Sequence, residues 1–126
     1  MTPEKYVGKW TKSKKLTFSG EDSFVSVTSD DYEQGSFDLS HQKGCCGIAV
    51  ACNFDNNLYI RNSELKILKL SELVAQNRGY VFITCSFNEH QQDFIKAAKK
   101  LKWKQTAKFR NGGHGNMIHV FQKHLS

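Results

Sequence analysis

The sequence contains no apolar run long enough to cross a bilayer and no apolar segment after Met1 of the kind that directs secretion. These absences lead to the expectation of a cytoplasmic protein with no membrane partner. In that reducing setting the four cysteines are expected as free thiols, not as a disulfide framework. A Cys-x2-Cys knuckle is also missing. Cys45 and Cys46 are adjacent, and adjacent residues on a strand point to opposite faces. Cys46 and Cys52 are separated by about 20 Å of extended chain. With His41 nearby, the reading is small buried thiols and no metal. The alternatives are a metal site formed by a turn in the chain, and a thiol at Cys45 or Cys46 activated by His41. Internal repeats, low-complexity tracts and linkers are absent as well, so residues 1–126 are expected to form one domain. A chain of 126 residues can bury roughly two-thirds of its unfolded surface and needs no staple.

What the chain does have is positive charge and aromatic rings. The net charge is +6, with 12% aromatic residues. Such a balance favours anionic partners: nucleic acid, a phosphorylated cofactor or an acidic protein. The densest basic region holds Lys96, Lys99, Lys100, Lys102, Lys104, Lys108 and Arg110, with Trp103 and Phe109 among them. Lysines neutralise phosphates and aromatic rings stack on bases, so this region could grip single-stranded nucleic acid. The alternative is a solvated helix face with both rings in the core.

Thr2-Pro3 reads as a helix start, N-cap threonine before proline, with Tyr6, Val7 and Trp10 as a short apolar face on a solvated surface helix. Residues 24–28 alternate as a strand, and so do residues 37–41. Residues 29–31 and 33–35 read as turn or loop. The run 47–54 is compact and apolar, a strand expected to be buried on both faces. Residues 58–60 read as a short strand or an approach to the next helix.

From residue 62 onward the reading is helix, strand, helix, strand, strand. Asn62 or Ser63 caps a helix whose stripe is Leu65, Ile67, Leu68, Leu70, Leu73 and Val74. It ends near Gln76, with Gly79 suited to the left-handed position after the helix. Residues 80–87 read as a central strand. Asn88 is expected to cap a helix over 88–102, with Gln91 completing a capping box. In that helix Phe94, Ala97, Ala98 and Leu101 face inward. Two strands follow around residues 111–115, Asn-Gly-Gly-His-Gly. Ala107 and Phe109 alternate in the first, Ile118 and Val120 in the second. That loop joins two strands and lacks a Gly-Lys-Ser/Thr ending, so it is no P-loop. The sum is an α+β fold, a mostly antiparallel twisted sheet with helices packed on it.

This order of elements, with an Asn-led helix and Leu101-Lys102-Trp103 where Leu-Gly-Phe would stand, resembles the C-terminal part of the GNAT-type N-acetyltransferase fold over residues 45–126. In style the chain is similar to short, divergent acetyltransferase-like proteins of bacteriophages. The resemblance implies acetyl-CoA as cofactor and an amine as acceptor. It puts the backbone of 47–53, including Ile48 and Val50, along the pantetheine arm. It puts Arg61, Asn62 and Ser63 at the pyrophosphate and Asn88 near the cofactor's exit. Cys85, Ser86 and His90, at the end of the central strand, stand where the family's thioester lies. Two departures are visible. Residues 53–62 contain no glycine, whereas the family's pyrophosphate loop is glycine-rich. Ala98 stands near the family's general-acid tyrosine. The rival expectation is a non-enzymatic GNAT-like protein that attaches to a host protein or nucleic acid. Its contact residues would be Lys96, Lys99, Lys100, Lys104, Lys108 and Arg110.

Overall fold

The computed structural model describes residues 1–10, 14–19, 23–29, 32–41, 47–56, 62–111 and 115–125. Thr2 Oγ1 accepts the Lys5 N–H at 3.2 Å and Pro3 opens α1 (Pro3–Gly8). Far from being merely solvated, this helix buries Pro3 and Val7 and packs Tyr6 and Trp10 on the core. Then come β1 (Lys14–Ser19), β2 (Phe24–Ser29), β3 (Tyr32–His41), β4 (Ile48–Asn56), α2 (Ser63–Asn77), β5 (Phe82–Asn88), α3 (Gln92–Lys100), β6 (Lys104–Arg110) and β7 (Met117–His124). The strands form one seven-stranded sheet in the order β1-β2-β3-β4-β5-β7-β6. Its neighbours are antiparallel except β4 and β5, which run parallel around α2.

Alternation assigns the two faces of the sheet. Val25, Val27, Phe37, Leu39, Ala49, Ala51, Ile83, Cys85, Phe87 and Phe121 are buried toward one side. There Phe94 of α3 stacks on Phe87 at 5.7 Å. The expected stripe of α2 is buried too, with Leu65 partly covered. The opposite face carries Ile48, Val50 and Thr84, half-buried, and Ser86, exposed.

Both long helices end in the same backbone lock. After α2, the Gly79 and Tyr80 N–H groups donate to the Gln76 and Ala75 carbonyls, with Gly79 at φ +85°. After α3, the Lys102 and Trp103 N–H groups donate to Lys99 and Ala98, with Lys102 at φ +67°. Paired bonds of this kind need a left-handed residue. Lys102 therefore sits in the conformation glycine adopts without cost, as Leu-Gly-Phe would provide.

Several expectations are corrected. Residues 33–35 belong to β3, with Gln34 as an extra residue between the Thr28↔Glu33 and Val27↔Gly35 pairs. Strand β1 lay unrecognised behind its lysines. Asn88 ends β5, paired with Ile118, so it cannot enter the helix; α3 starts at Gln92 and is shorter than expected. Half of the expected box survives: Gln91 Oε1 accepts the Asn88 N–H at 2.9 Å. Strand β4 is buried on one face only. In β7 the inward residue is Phe121, not Ile118 or Val120, and β6 is exposed along its whole length. Residues 58–60, Arg61, Cys45, Cys46 and His114 lie outside the described residues.

Candidate active site

The site begins with one extra residue. Ser36 pairs with Asp55 and Asp38 with Cys52, so Asn53 and Phe54 together oppose Phe37 alone. Such a bulge bends a strand and raises its local twist. It also shifts the alternation by one, which turns Phe54 into the core. Phe54 meets Phe37 at 5.6 Å, Phe94 at 5.5 Å and Phe87 at 6.0 Å.

Beyond the bend, β4 no longer pairs with β5. The parallel ladder runs from Ile48↔Phe82 to Ala51↔Cys85 and stops. Backbone groups of 52–56 and 86–88 that face the gap have no partner in that ladder. A cavity of about 530 Å³ opens there, at the C-terminal ends of the two parallel strands. Phe24 and Asp38 reach it from β2 and β3, Phe54 and Asp55 from β4. Ser86 and Phe87 of β5 and Gln91 complete the wall. A second hollow of about 210 Å³ lies between the start of α2, at Asn62, Glu64 and Leu65, and the flank of α3, at Asp93, Lys96 and Lys100.

The expected residues divide sharply. Ser86 is exposed and lines the cavity. Cys85 does not: it points into the core at 3% exposure. Burial first, and then the neighbouring Cys52, push its thiol well above the ordinary range, and its S–H donates to the Ser86 carbonyl. It is no nucleophile at neutral pH. Cys52 is half-buried, its thiol raised by burial and by Asp38. His90 is exposed beyond β5, its N–H given to Asn88 Oδ1 at 3.0 Å, and it is not on the cavity wall. Asn88 is half-buried with its side chain in that turn.

Ile48 and Val50 lie where β4 is already paired with β5. The open backbone edge starts at Cys52 instead, past the bulge. Asn62 is the N-cap of α2, in the left-handed conformation at φ 58° and with no side-chain cap bond. Ser63 is buried, and its hydroxyl donates to Glu64 at 3.2 Å. Among the basic residues, Lys96 and Lys100 share the hollow beside α2, while Lys99 does not line it. On β6 the register places Lys108 and Arg110 on the helix side and Lys104 on the opposite face. The six cations do not form one surface. Trp103 is buried but Phe109 is 51% exposed. Asp38 and Asp55 carried no sequence signal: one alternates within an amphipathic strand and the other precedes two asparagines.

Among the described residues no helix is long and apolar enough to span a membrane, and no group of three or more His, Cys, Asp or Glu could hold a metal ion. No protein-family model and no curated protein sequence matches the chain. Solved structures do match. A GNAT-family acetyltransferase from Desulfovibrio desulfuricans is similar over 98% of this chain and 92% of its own, with TM-score 0.68 and 13% identity. An acetyltransferase from Salmonella typhimurium, solved with its cofactor acetyl-CoA, aligns over 82% of this chain with TM-score 0.68 and 12% identity. The chain spans less than two-thirds, 64%, of that protein. The ribosomal-protein-S18-alanine N-acetyltransferase of Escherichia coli aligns over 92% of this chain and 72% of its own, with TM-score 0.67 and 11% identity. With a parallel pair that parts beside a bulge in an otherwise antiparallel sheet, and with these neighbours, the chain has the fold of the GNAT N-acetyltransferases, at 11–13% sequence identity to these three.

Proposed function

We propose that residues 1–126 form one acyl-CoA-dependent N-acyltransferase domain that moves an acetyl group from acetyl-CoA to an amine. The observation that carries this reading is the parting of β4 from β5 after Ala51 and Cys85, with a cavity at the fork. Backbone along 52–56 and 86–87, which has no partner in the β4–β5 ladder, fits an extended, amide-bearing arm, which can pair there as a strand would. The hollow beside α2 fits the remainder less uniformly. Lys96 and Lys100 and the positive end of the α2 dipole favour phosphate, while Glu64 and Asp93 oppose it. Absence of glycine from residues 53–62 leaves the first turn of α2 and the left-handed Asn62 as the anion cradle.

Acetyl-CoA, when bound, supplies an activated thioester. The chain's own residues must then manage the amine. An ammonium ion cannot attack, so it gives one proton to a carboxylate Oδ of Asp55 or Asp38. The nitrogen lone pair forms the N–C bond as the C–S bond breaks, and the second nitrogen proton leaves with the sulfur. The Ser86 hydroxyl stands at the fork to orient the reacting groups. Ala98, fully buried, takes no part. Phe24, Phe54 and Phe87 complete the wall beside these polar groups.

Thermal unfolding with acetyl-CoA tests this. At a hundred times its dissociation constant the ligand adds about 2.7 kcal/mol, a rise of roughly 10 °C for a domain of this size. Lys96→Glu with Lys100→Glu should reduce the shift. Absence of any shift refutes the reading. A second reading, attachment to a host protein or nucleic acid, draws on the exposed edge strand β6 with Lys104, Lys108, Arg110 and Phe109. It predicts single-strand binding that falls steeply with salt and weakens in Lys108→Ala and Arg110→Ala. Salt-insensitive binding sinks it.

A further inference from the structure

We propose that a separate hollow, at the other end of the sheet beside Lys102 and Lys104, binds an aromatic acid: a flat body of one or two rings that carries a single carboxylate. The proposal is independent of the acyltransfer reading and shares no residue with the cavity at the fork or the hollow beside α2.

The hollow has a volume of about 300 Å³ and lies where β5 begins and β7 ends. Phe82, on its wall, precedes Ser86 by four residues, so about 13 Å of strand separates it from the fork. The pairs Phe82↔His124 and Lys104↔Gln122 bring β5, β7 and β6 to the wall. Phe82 and His124 meet edge-on, with ring centroids 4.8 Å apart and planes at 77°. An apolar cavity of about 150 Å³ holds benzene, so this volume suits one ring or two fused rings against that pair.

The charge on the wall is one-sided. Three lysines line it, and no aspartate or glutamate does. Lys123 is already neutralised: its Nζ donates to Glu72 at 2.9 Å and to the Leu101 carbonyl at 2.9 Å. Lys102 and Lys104 are exposed, and among the described residues no carboxylate pairs with either ammonium. Two uncompensated cations beside an aromatic wall complement a ring with an anion attached. Gln122 adds an amide that can bond the same anion.

The backbone supplies an independent observation. Lys102 holds the left-handed conformation, φ +67°, in a turn that glycine would enter without strain. Its turn bond to the Lys99 carbonyl is made by its own N–H and needs no side chain. Side chains held in such backbone conformations cluster at ligand sites. Among the described residues Asn62 is the other non-glycine with positive φ, and it too lines a hollow, the one beside α2. Lysines on an edge strand also deter unwanted pairing. That role covers Lys104 but not Lys102, which precedes the strand.

The test is calorimetric titration of the full chain with three probes. These are 2-naphthoate, 2-naphthalenemethanol and inorganic phosphate, which present ring with anion, ring alone and anion alone. Naphthoate should bind at least ten-fold more tightly than either of the others. Lys102→Gly relieves the strain and keeps the fold, and should weaken naphthoate at least five-fold. Lys102→Gln keeps the strain and loses the charge, and should weaken it equally; Lys104→Gln should do the same. Lys108→Ala removes a cation that is not on the wall and should leave the affinity unchanged. The proposal is overturned by absence of naphthoate binding, by equal affinity for naphthoate and either other probe, or by undiminished binding in Lys102→Gly. A loss in Lys108→Ala as large as that in Lys104→Gln overturns it as well, since it would mark a general cationic surface. The acetyl-CoA shift reads the other end of the sheet, so either reading can fail while the other stands.

Discussion

Replacing Glu72 by alanine should cost the fold about 3–4 kcal/mol. Glu72 lies on α2 with 3% exposure, a carboxylate in the core. Its Oε1 accepts from Trp103 Nε1 at 2.5 Å and from Lys123 Nζ at 2.9 Å. Its Oε2 accepts from Lys69 Nζ at 3.2 Å. One side chain therefore ties α2 to the turn after α3 and to β7. Breaking a buried pair by removing one partner costs about 3–5 kcal/mol, because the other charge is left behind. Two features move the figure to the lower part of that range. Lys123 is 24% exposed and keeps a bond to the Leu101 carbonyl, so it can turn partly to water. Lys69 is 38% exposed, and an ion pair so open to solvent contributes at most about 1 kcal/mol. Trp103 loses a hydrogen bond to a charged acceptor, about 1.5–3 kcal/mol, which is the larger part of the loss. Urea unfolding followed by tryptophan fluorescence gives the number directly. At about 4 °C per kcal/mol the melting temperature should fall by roughly 12–16 °C. Glu72→Ala combined with Lys123→Ala should be less destabilised than the sum of the single variants. A loss under 1 kcal/mol, or strict additivity in that cycle, refutes the account of Glu72 as the central tie.

Three further outcomes are expected. Lys102→Gly should stabilise by about 0.5–1 kcal/mol, since relief of the left-handed strain outweighs the entropy that glycine adds to the unfolded chain; a melting temperature that falls contradicts this. Gly47→Ala should cost at least about 1–2 kcal/mol, because Gly47 has φ +82° and an added Cβ would sit 2.9 Å from the Val81 methyl, and a neutral result in urea unfolding would contradict it. Stability should also fall as pH rises above about 8.5, where thiols of the unfolded chain begin to ionise. Folding raises the Cys85 thiol by burial and then by Cys52, and raises Tyr6 by burial and then by Glu72. The native state thus holds protons that the unfolded state releases, and the loss continues until the native groups ionise too. Urea midpoints between pH 7 and pH 10.5 test it, and Cys85→Ala should flatten the first part of the slope.

The C-terminal half was legible because its signals are local. The stripe of α2, Gly79 and the sequence Leu101-Lys102-Trp103 each carry their own spacing, and all three are met in the structure. The N-terminal strands were harder. Lys14 and Lys15 hide a strand held by pairing with β2, and residues 33–35 look like a turn until a neighbour on each side extends them. The site was least legible of all. Ser86 was found from its place at the end of β5, but Cys85, one residue away, faces the other side. Asp38 and Asp55 are brought together by a bulge, and an extra residue in a ladder is defined by its partner strand, which no single segment records. Glu72 was invisible for a related reason: the cations that neutralise it come from another turn of the same helix and from a strand 51 residues away.

The bulge at Asn53 and Phe54 has a mechanical consequence. Past Ala51 the sheet contains two inward edges, residues 52–56 and 86–87, that the β4–β5 ladder no longer pairs, in the middle of a folded protein. Exposed edges ordinarily invite aggregation, and proteins guard them with charge or short length. These are guarded by closure at one end. Four paired residues on each side of the join hold the strands at hydrogen-bonding distance, so no second sheet can slide in sideways. The opening is a blind slot. A chain that pairs along both edges reaches its limit at the last rung of the ladder, Ala51 with Cys85. The same rung is therefore a depth gauge: it sets where the tip of such a chain must stop.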